Sequence, residues 1–240
     1  MKKVLIGCGI ISLIVILAVV GCSAYACHKF NQFTTNIEAA GAQIEALDKE
    51  FPFEPPAGGV VSAHRFSQYM EARDGILGSV MGVSIVSELV AASEQNREPN
   101  VGMGDVLGIF GAIPKVMGDS AAALRSSQMS PKEFIFHSMV VLQWAKEAHA
   151  SGDSELVQMW PQFLDALDQV DAQMATNQDP NIRQYRKRPE EMLAMLESTP
   201  SVDANMAIVE SHRDRLLHNK GALLVEMVIA IYVFANTSGQ

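Results

Sequence analysis

From Val4 to Ala26 the chain carries no charge. This run of about 23 mostly apolar residues is entered through Lys2 and Lys3 and left through His28 and Lys29. About 20 apolar residues rising 1.5 Å each cross the hydrocarbon core of a bilayer, so the run is long enough to span one. A soluble core helix of this length would show a polar face, and none is present. The start amine and two lysines predict an N-terminus held in the cytoplasm, with everything after Lys29 outside it.

Two anchors fit the same residues. Val19-Val20-Gly21-Cys22 resembles a bacterial lipobox, in which the chain is cut before a cysteine that is then acylated. On that reading Cys22 is the lipid attachment site and the protein is a lipoprotein. Against it, a secretory apolar region usually runs about 7–15 residues, and this one continues through Ala24, Tyr25 and Ala26. The uncleaved, single-pass span is therefore the leading expectation. All three cysteines, Cys8, Cys22 and Cys27, lie in or beside the anchor, so the rest of the chain has no disulfide framework and no thiol chemistry.

The chain reads as three parts: an anchor over 1–29, a helical connector and proline strap over 30–61, and an extracytoplasmic domain over 62–240. Without the anchor the mean hydropathy falls from +0.12 to roughly −0.1, the composition of an ordinary globular domain. Eighteen Lys and Arg stand against 27 Asp and Glu, a net charge of −9. That balance argues against nucleic acid, which needs a basic face to neutralise phosphates.

Phe30, Phe33, Ile37, Ala40, Ile44, Leu47 and Phe51 are spaced alternately 3 and 4 apart. That is the stripe of a helix docked on its own domain, or the seam through which residues 30–51 of two chains self-associate or meet a protein partner. Phe51-Pro52-Phe53-Glu54-Pro55-Pro56-Ala57-Gly58-Gly59 then breaks the helix. Its two Phe suit pegs that dock a strap on neighbouring helices.

After the strap every long segment has helical periodicity, which predicts an all-α fold: a bundle of about five to seven helices behind an N-terminal transmembrane helix. Ser62 caps a segment whose apolar stripe runs from Phe66 towards Leu89, with Gly78 and Gly82 placed for close helix approach. Gly102–Gly118 is a second Gly-rich segment, kinked or divided at Pro114. Ser130-Pro131-Lys132-Glu133 is a capping box with proline at the first helical position, opening a helix that ends near Gly152. A further apolar stripe runs from Leu156 to Met174. A polar loop over Asn177–Pro189 leads to a short helix around Glu190–Glu197. One helix then follows Ser201 and carries Met206, Val209, Arg213, Leu216 and Leu217. The last, Ala222–Ala235, is apolar nearly all round and too short to span a bilayer, which suits a central buried helix.

No constellation for chemistry emerges, so the expectation is no catalytic residue, no metal site and no cofactor. The histidines, His28, His64, His137, His149, His212 and His218, include no pair four apart around a glutamate. Asp165, Asp168 and Asp171 lie in a row beside an apolar stripe, as a solvated acidic face does. Arg183, Arg186, Lys187 and Arg188 answer that acidic helix, or meet anionic headgroups. Gly102-Met-Gly104-Asp-Val-Leu-Gly108 has neither the spacing nor the preceding strand of a nucleotide loop. An enzymatic reading has only scattered carboxylates, Asp165 and Glu226 among them. Arg73 stands out: it falls on an apolar stripe between Tyr69/Met70 and Leu77, where a charge must be paired. It is expected to be a structural tie to a carboxylate or to strap carbonyls.

The charged start, the Gly- and Cys-containing anchor, the Phe-Pro-Phe-Glu-Pro-Pro segment, Arg65-Phe66, Tyr69 and Arg73 together resemble a group of uncharacterised bacterial single-pass membrane proteins. The resemblance covers about residues 1–75. It implies an anchored helical domain outside the cytoplasm and carries no activity to transfer. The expected function is a membrane-anchored extracytoplasmic scaffold or interaction module of the bacterial envelope, contacting the lipid bilayer and no nucleic acid. The second expectation is a binding module for a lipid or small hydrophobic ligand, its pocket lined by the Gly-rich helices and by some of the 13 methionines.

Overall fold

A computed structural model describes residues 39–84, 86–88, 103–153 and 202–218, with single positions at 36, 91 and 161. Every regular element among them is a helix, so the all-α expectation is met there. None of the described helices is long and apolar enough to cross a membrane. The anchor with Cys22, the stripe positions Phe30, Phe33 and Ile37, and the segment from Leu156 through the acidic row and basic cluster lie outside the described residues, apart from position 161. So does the apolar helix expected over Ala222–Ala235.

We number the helices in chain order: α1 over 39–50, α2 Ala63–Met81, α3 Met103–Ser126, α4 Pro131–Ala150, α5 Asp203–Glu210 and α6 Arg213–Leu217. A single 3-10 turn, Ala57–Gly59, interrupts the strap. The chain divides into two compact units, drawn from Met1–Phe53 with Gln68–Pro131, and from Glu54–Ser67 with Lys132–Gln240.

In the first unit Ala40 and Leu47 of α1 are buried and Ile44 half-buried, so the described part of the 3–4 stripe is used inside a single chain. Glu50 at the end of α1 accepts from Arg125 Nε of α3 at 3.1 Å. The stripe of α2 is buried at Tyr69, Met70, Ala72, Ile76, Leu77 and Val80, with Arg73 among them. The helix stops at Met81, short of Leu89, and helical structure resumes at Ser84 and over 86–88. Gly82 turns the chain there, with 3-10-type bonds such as Val83 N–H to Val80 O at 3.1 Å closing the end. The close approach of α2 and α3 falls at Gly75, where a Cβ would stand 3.0 Å from that of Ala123. Gly78 has open space around it. α3 runs through Pro114 without division. It ends in a left-handed Gln128, φ 50°, where Met129 N–H reaches Leu124 O and Gln128 N–H reaches Arg125 O.

In the second unit Ser62 caps α2 by accepting the Arg65 N–H at 3.2 Å, as its position predicted. α4 starts at Pro131 and ends where expected. Gly152 at φ 82° lets Asp153 N–H reach Ala148 O and Gly152 N–H reach His149 O. The middle of α4 is buried nearly all round, from Val140 to Ala145. The helix expected after Ser201 is two. Ser211 and His212 divide α5 from α6: the Ser211 hydroxyl and the His212 Nδ1 both meet Ile208 O, at 2.7 and 3.1 Å, and His212 N–H makes a 3-10-type bond to Val209 O.

Candidate functional site

Among the described residues the densest polar chemistry lies in the second unit, around the first turns of α2 and α4. Arg65 Nε donates to Glu133 Oε1 at 2.7 Å, and Nη2 of the same guanidinium pairs with Oε2. This two-pronged geometry suits a planar guanidinium on a carboxylate. His137, one turn along α4, places Nε2 3.7 Å from Glu133 Oε1. Burial pushes the Glu133 carboxyl up; the contact with His137 and the Arg65 guanidinium more than offset it and hold the group below its ordinary value of 4.5. The Phe66 ring is edge-on to two imidazoles, His137 at 6.0 Å and His212 at 5.2 Å between centroids. His137 is 2% exposed and Glu133 is buried beside it. A general base must reach a substrate proton, and these two groups are closed off. What the carboxylate does in this arrangement is hold Arg65.

A second cluster joins the end of α4 to α5 and α6. Trp144 Nε1 donates to Glu210 Oε2 at 2.8 Å. Arg213 lies over the Trp144 ring, 5.8 Å from its centroid. Its Nη2 sits 2.9 Å from Asp153 Oδ1 and 2.8 Å from Oδ2, and its Nη1 3.4 Å from Glu210 Oε1. These groups, with Glu147, Ser151 and Met206, edge a shallow groove of about 370 Å³. Arg213 already spans it.

One side chain meets the strap backbone twice. Asn205 of α5 accepts the Val61 N–H at 2.8 Å and donates Nδ2 to Gly59 O at 2.8 Å. Asn205 is 4% exposed, and an amide so buried needs both partners.

In the first unit the two Gly-rich segments do meet. Gly78, Ser79, Gly82 and Val83 face Ala112, Lys115 and Val116 across a cleft of about 150 Å³. Ser79 Oγ donates to Asp119 Oδ2 at 2.7 Å, and Lys115 Nζ reaches the same oxygen at 2.5 Å. The Lys115 and Ser79 hydrogen bonds hold the Asp119 carboxyl below the usual carboxylate range.

Arg73 is where its stripe position put it, 2% exposed, with Nη1 3.6 Å from Asp74 Oδ1. Of the other histidines, His64 and His218 are exposed and His149 half-buried. Among the described residues no group of three or more His, Cys, Asp or Glu is placed to hold a metal. Sequence reasoning missed the partner of Glu133, which reads as a capping-box residue. It also missed Asn205, although a signal existed: Asn205 stands four residues before buried Val209, a polar group on an apolar stripe. The same signal singled out Arg73.

No protein-family model matches the chain, and no curated protein or solved structure matches it either.

Proposed function

We propose that this chain is a helical scaffold or interaction module of the bacterial envelope: a bundle of five to seven helices behind a single N-terminal span, with the N-terminus cytoplasmic and the domain outside. The observation that carries the placement is the uncharged run Val4–Ala26 behind Lys2 and Lys3. The resemblance of residues 1–75 to uncharacterised single-pass membrane proteins points the same way. The interaction role is supported by how the polar side chains are used. Arg65 with Glu133, Asn205 with Gly59 and Val61, Trp144 with Glu210, and Arg213 with Asp153 each join segments at least 60 residues apart. Groups spent on such ties brace a surface for others to bind.

A reporter fused after Gln240 tests the placement. It should be active only outside the cytoplasm, and cytoplasmic activity would overturn the reading. Proximity labelling from the same position tests the role: a reproducible set of envelope proteins is expected, and labelling no different from that of an unrelated anchored domain would count against it.

The second reading, a binder of small hydrophobes, is favoured by the cleft between Gly78/Gly82 and Ala112/Val116. Its volume of about 150 Å³ falls below the ~300–1,000 Å³ usual for ligand sites, so only a small guest fits. Native mass spectrometry of the purified chain should show retained ligand if this reading holds, and a bare chain would end it.

A further inference from the structure

The strap meets Asn205 as a peptide meets a receptor. Val60 is extended, φ −77° and ψ 122°. In that conformation the carbonyl of Gly59 and the N–H of Val61 point to one edge of the strap, and Val60's own polar groups point to the other. Asn205 answers both groups of the inner edge with one amide, at 2.8 Å each. Side chains alternate accordingly: Val61 is buried, 3% exposed, while Val60 is 47% exposed. Main-chain reading by a fixed polar group, with a pocket for alternate side chains, is how extended peptides are recognised generally. Asn205 lies 144 residues from Val61, so the acceptor and its occupant are separate parts of the chain.

We propose that Asn205 and the buried site taken by the Val61 side chain form an acceptor for an extended peptide, filled here by the chain's own strap and open in exchange to the strap of a second copy. The strap is the segment whose pattern fits: a carbonyl two residues before an N–H on the same edge, with an aliphatic side chain on the latter residue. Gly58 and Gly59, at φ 76° and 70°, form the turn that delivers it, and glycine adopts or leaves such angles without strain. Exchange of an identical element between two copies re-forms the same contacts and needs no new surface.

The test uses the full chain in nanodiscs and a fluorescent synthetic peptide with the sequence from Glu54 to Ser62, read by anisotropy. The wild-type chain, its own strap docked, should bind the peptide weakly. Val61→Asp cannot seat its own strap, because a carboxylate replaces a buried isopropyl group, and should bind the peptide saturably, about 10-fold more tightly or better. Adding Asn205→Leu to that variant removes both main-chain bonds and should weaken the peptide by about 10-fold or more. A folded Val61→Asp chain that binds no better than wild type would overturn the acceptor. So would a double variant that binds as well as Val61→Asp alone.

If Val61→Asp does not fold, hydrogen exchange on the wild-type chain decides. Peptide at roughly millimolar concentration, comparable to the effective concentration of a tethered strap, should displace the resident strap and speed exchange of the Val61 amide several-fold. Amides in the middle of α4 should be unaffected. No change at Val61 would overturn the proposal.

Discussion

Arg65 grips both carboxylate oxygens of Glu133 across 68 residues of sequence, fastening the first turn of α2 to the first turn of α4. Glu133 has a 7% exposed side chain and Arg65 a 31% exposed one, so solvent screens one partner and barely the other.

The asymmetry sets the first prediction. Arg65→Leu leaves a buried carboxylate without its guanidinium and should lower unfolding free energy by about 2–4 kcal/mol in urea. Glu133→Gln keeps an acceptor and should lose less, about 1–2 kcal/mol. The pH dependence follows from the depressed carboxyl. A group whose folded pKa lies below its unfolded value contributes stability that is fully present above the unfolded value and lost as pH falls through the folded one. For Glu133 that loss begins below about pH 4.5. Wild type should therefore lose stability more steeply than Glu133→Gln in that range. Equal slopes below pH 4.5 would show that the pair contributes nothing.

Arg73 is a cation buried to 2% exposure in the first unit. Arg73→Leu should lower stability by about 1–3 kcal/mol through lost partners. An unchanged melting temperature would mean that Arg73 ties nothing.

Two glycines three residues apart on α2 should behave oppositely. Gly78→Ala adds a methyl to open space and removes a flexible residue from a helix, so it should stabilise by about 0.5–1 kcal/mol. Gly75→Ala carries the same helical benefit but sets its methyl 3.0 Å from the Ala123 Cβ, so α2 and α3 must part slightly. It should be neutral or destabilising in thermal melts. Equal gains at both positions would show that the helices do not approach closely at Gly75.

Cys22→Ala separates the two anchors. A spanning helix is held by its whole length, so the variant should stay membrane-bound at the mass of the full chain. A lipoprotein needs Cys22 for cleavage and acylation, and the same change would leave a precursor about 2 kDa heavier than the processed wild type. Intact-mass spectra of wild type beginning at an acylated Cys22 would sink the spanning model.

The sequence by itself determined the helical class of the described part and several of its helix ends, because those signals act within a turn. Ser62 caps the N–H three residues on, Pro131 suits a first helical position, and Gly152 takes the left-handed angle that closes α4. Periodicity likewise placed Ala40, Leu47, Phe66 and Arg73 on buried faces, since a 3.6-residue repeat fixes which positions share a side. Tertiary structure decided what those faces meet. Nothing local in Glu133 distinguishes a capping residue from the partner of Arg65, and nothing local tells Asn205 that its amide will meet Gly59 and Val61. Such pairs form only when packing brings segments 68 or 144 residues apart within 3 Å, and burial then makes each polar group need the other. The same logic moved the close helix approach from Gly78 to Gly75. Spacing names candidates for contact, and the crossing of two helices selects which one is used.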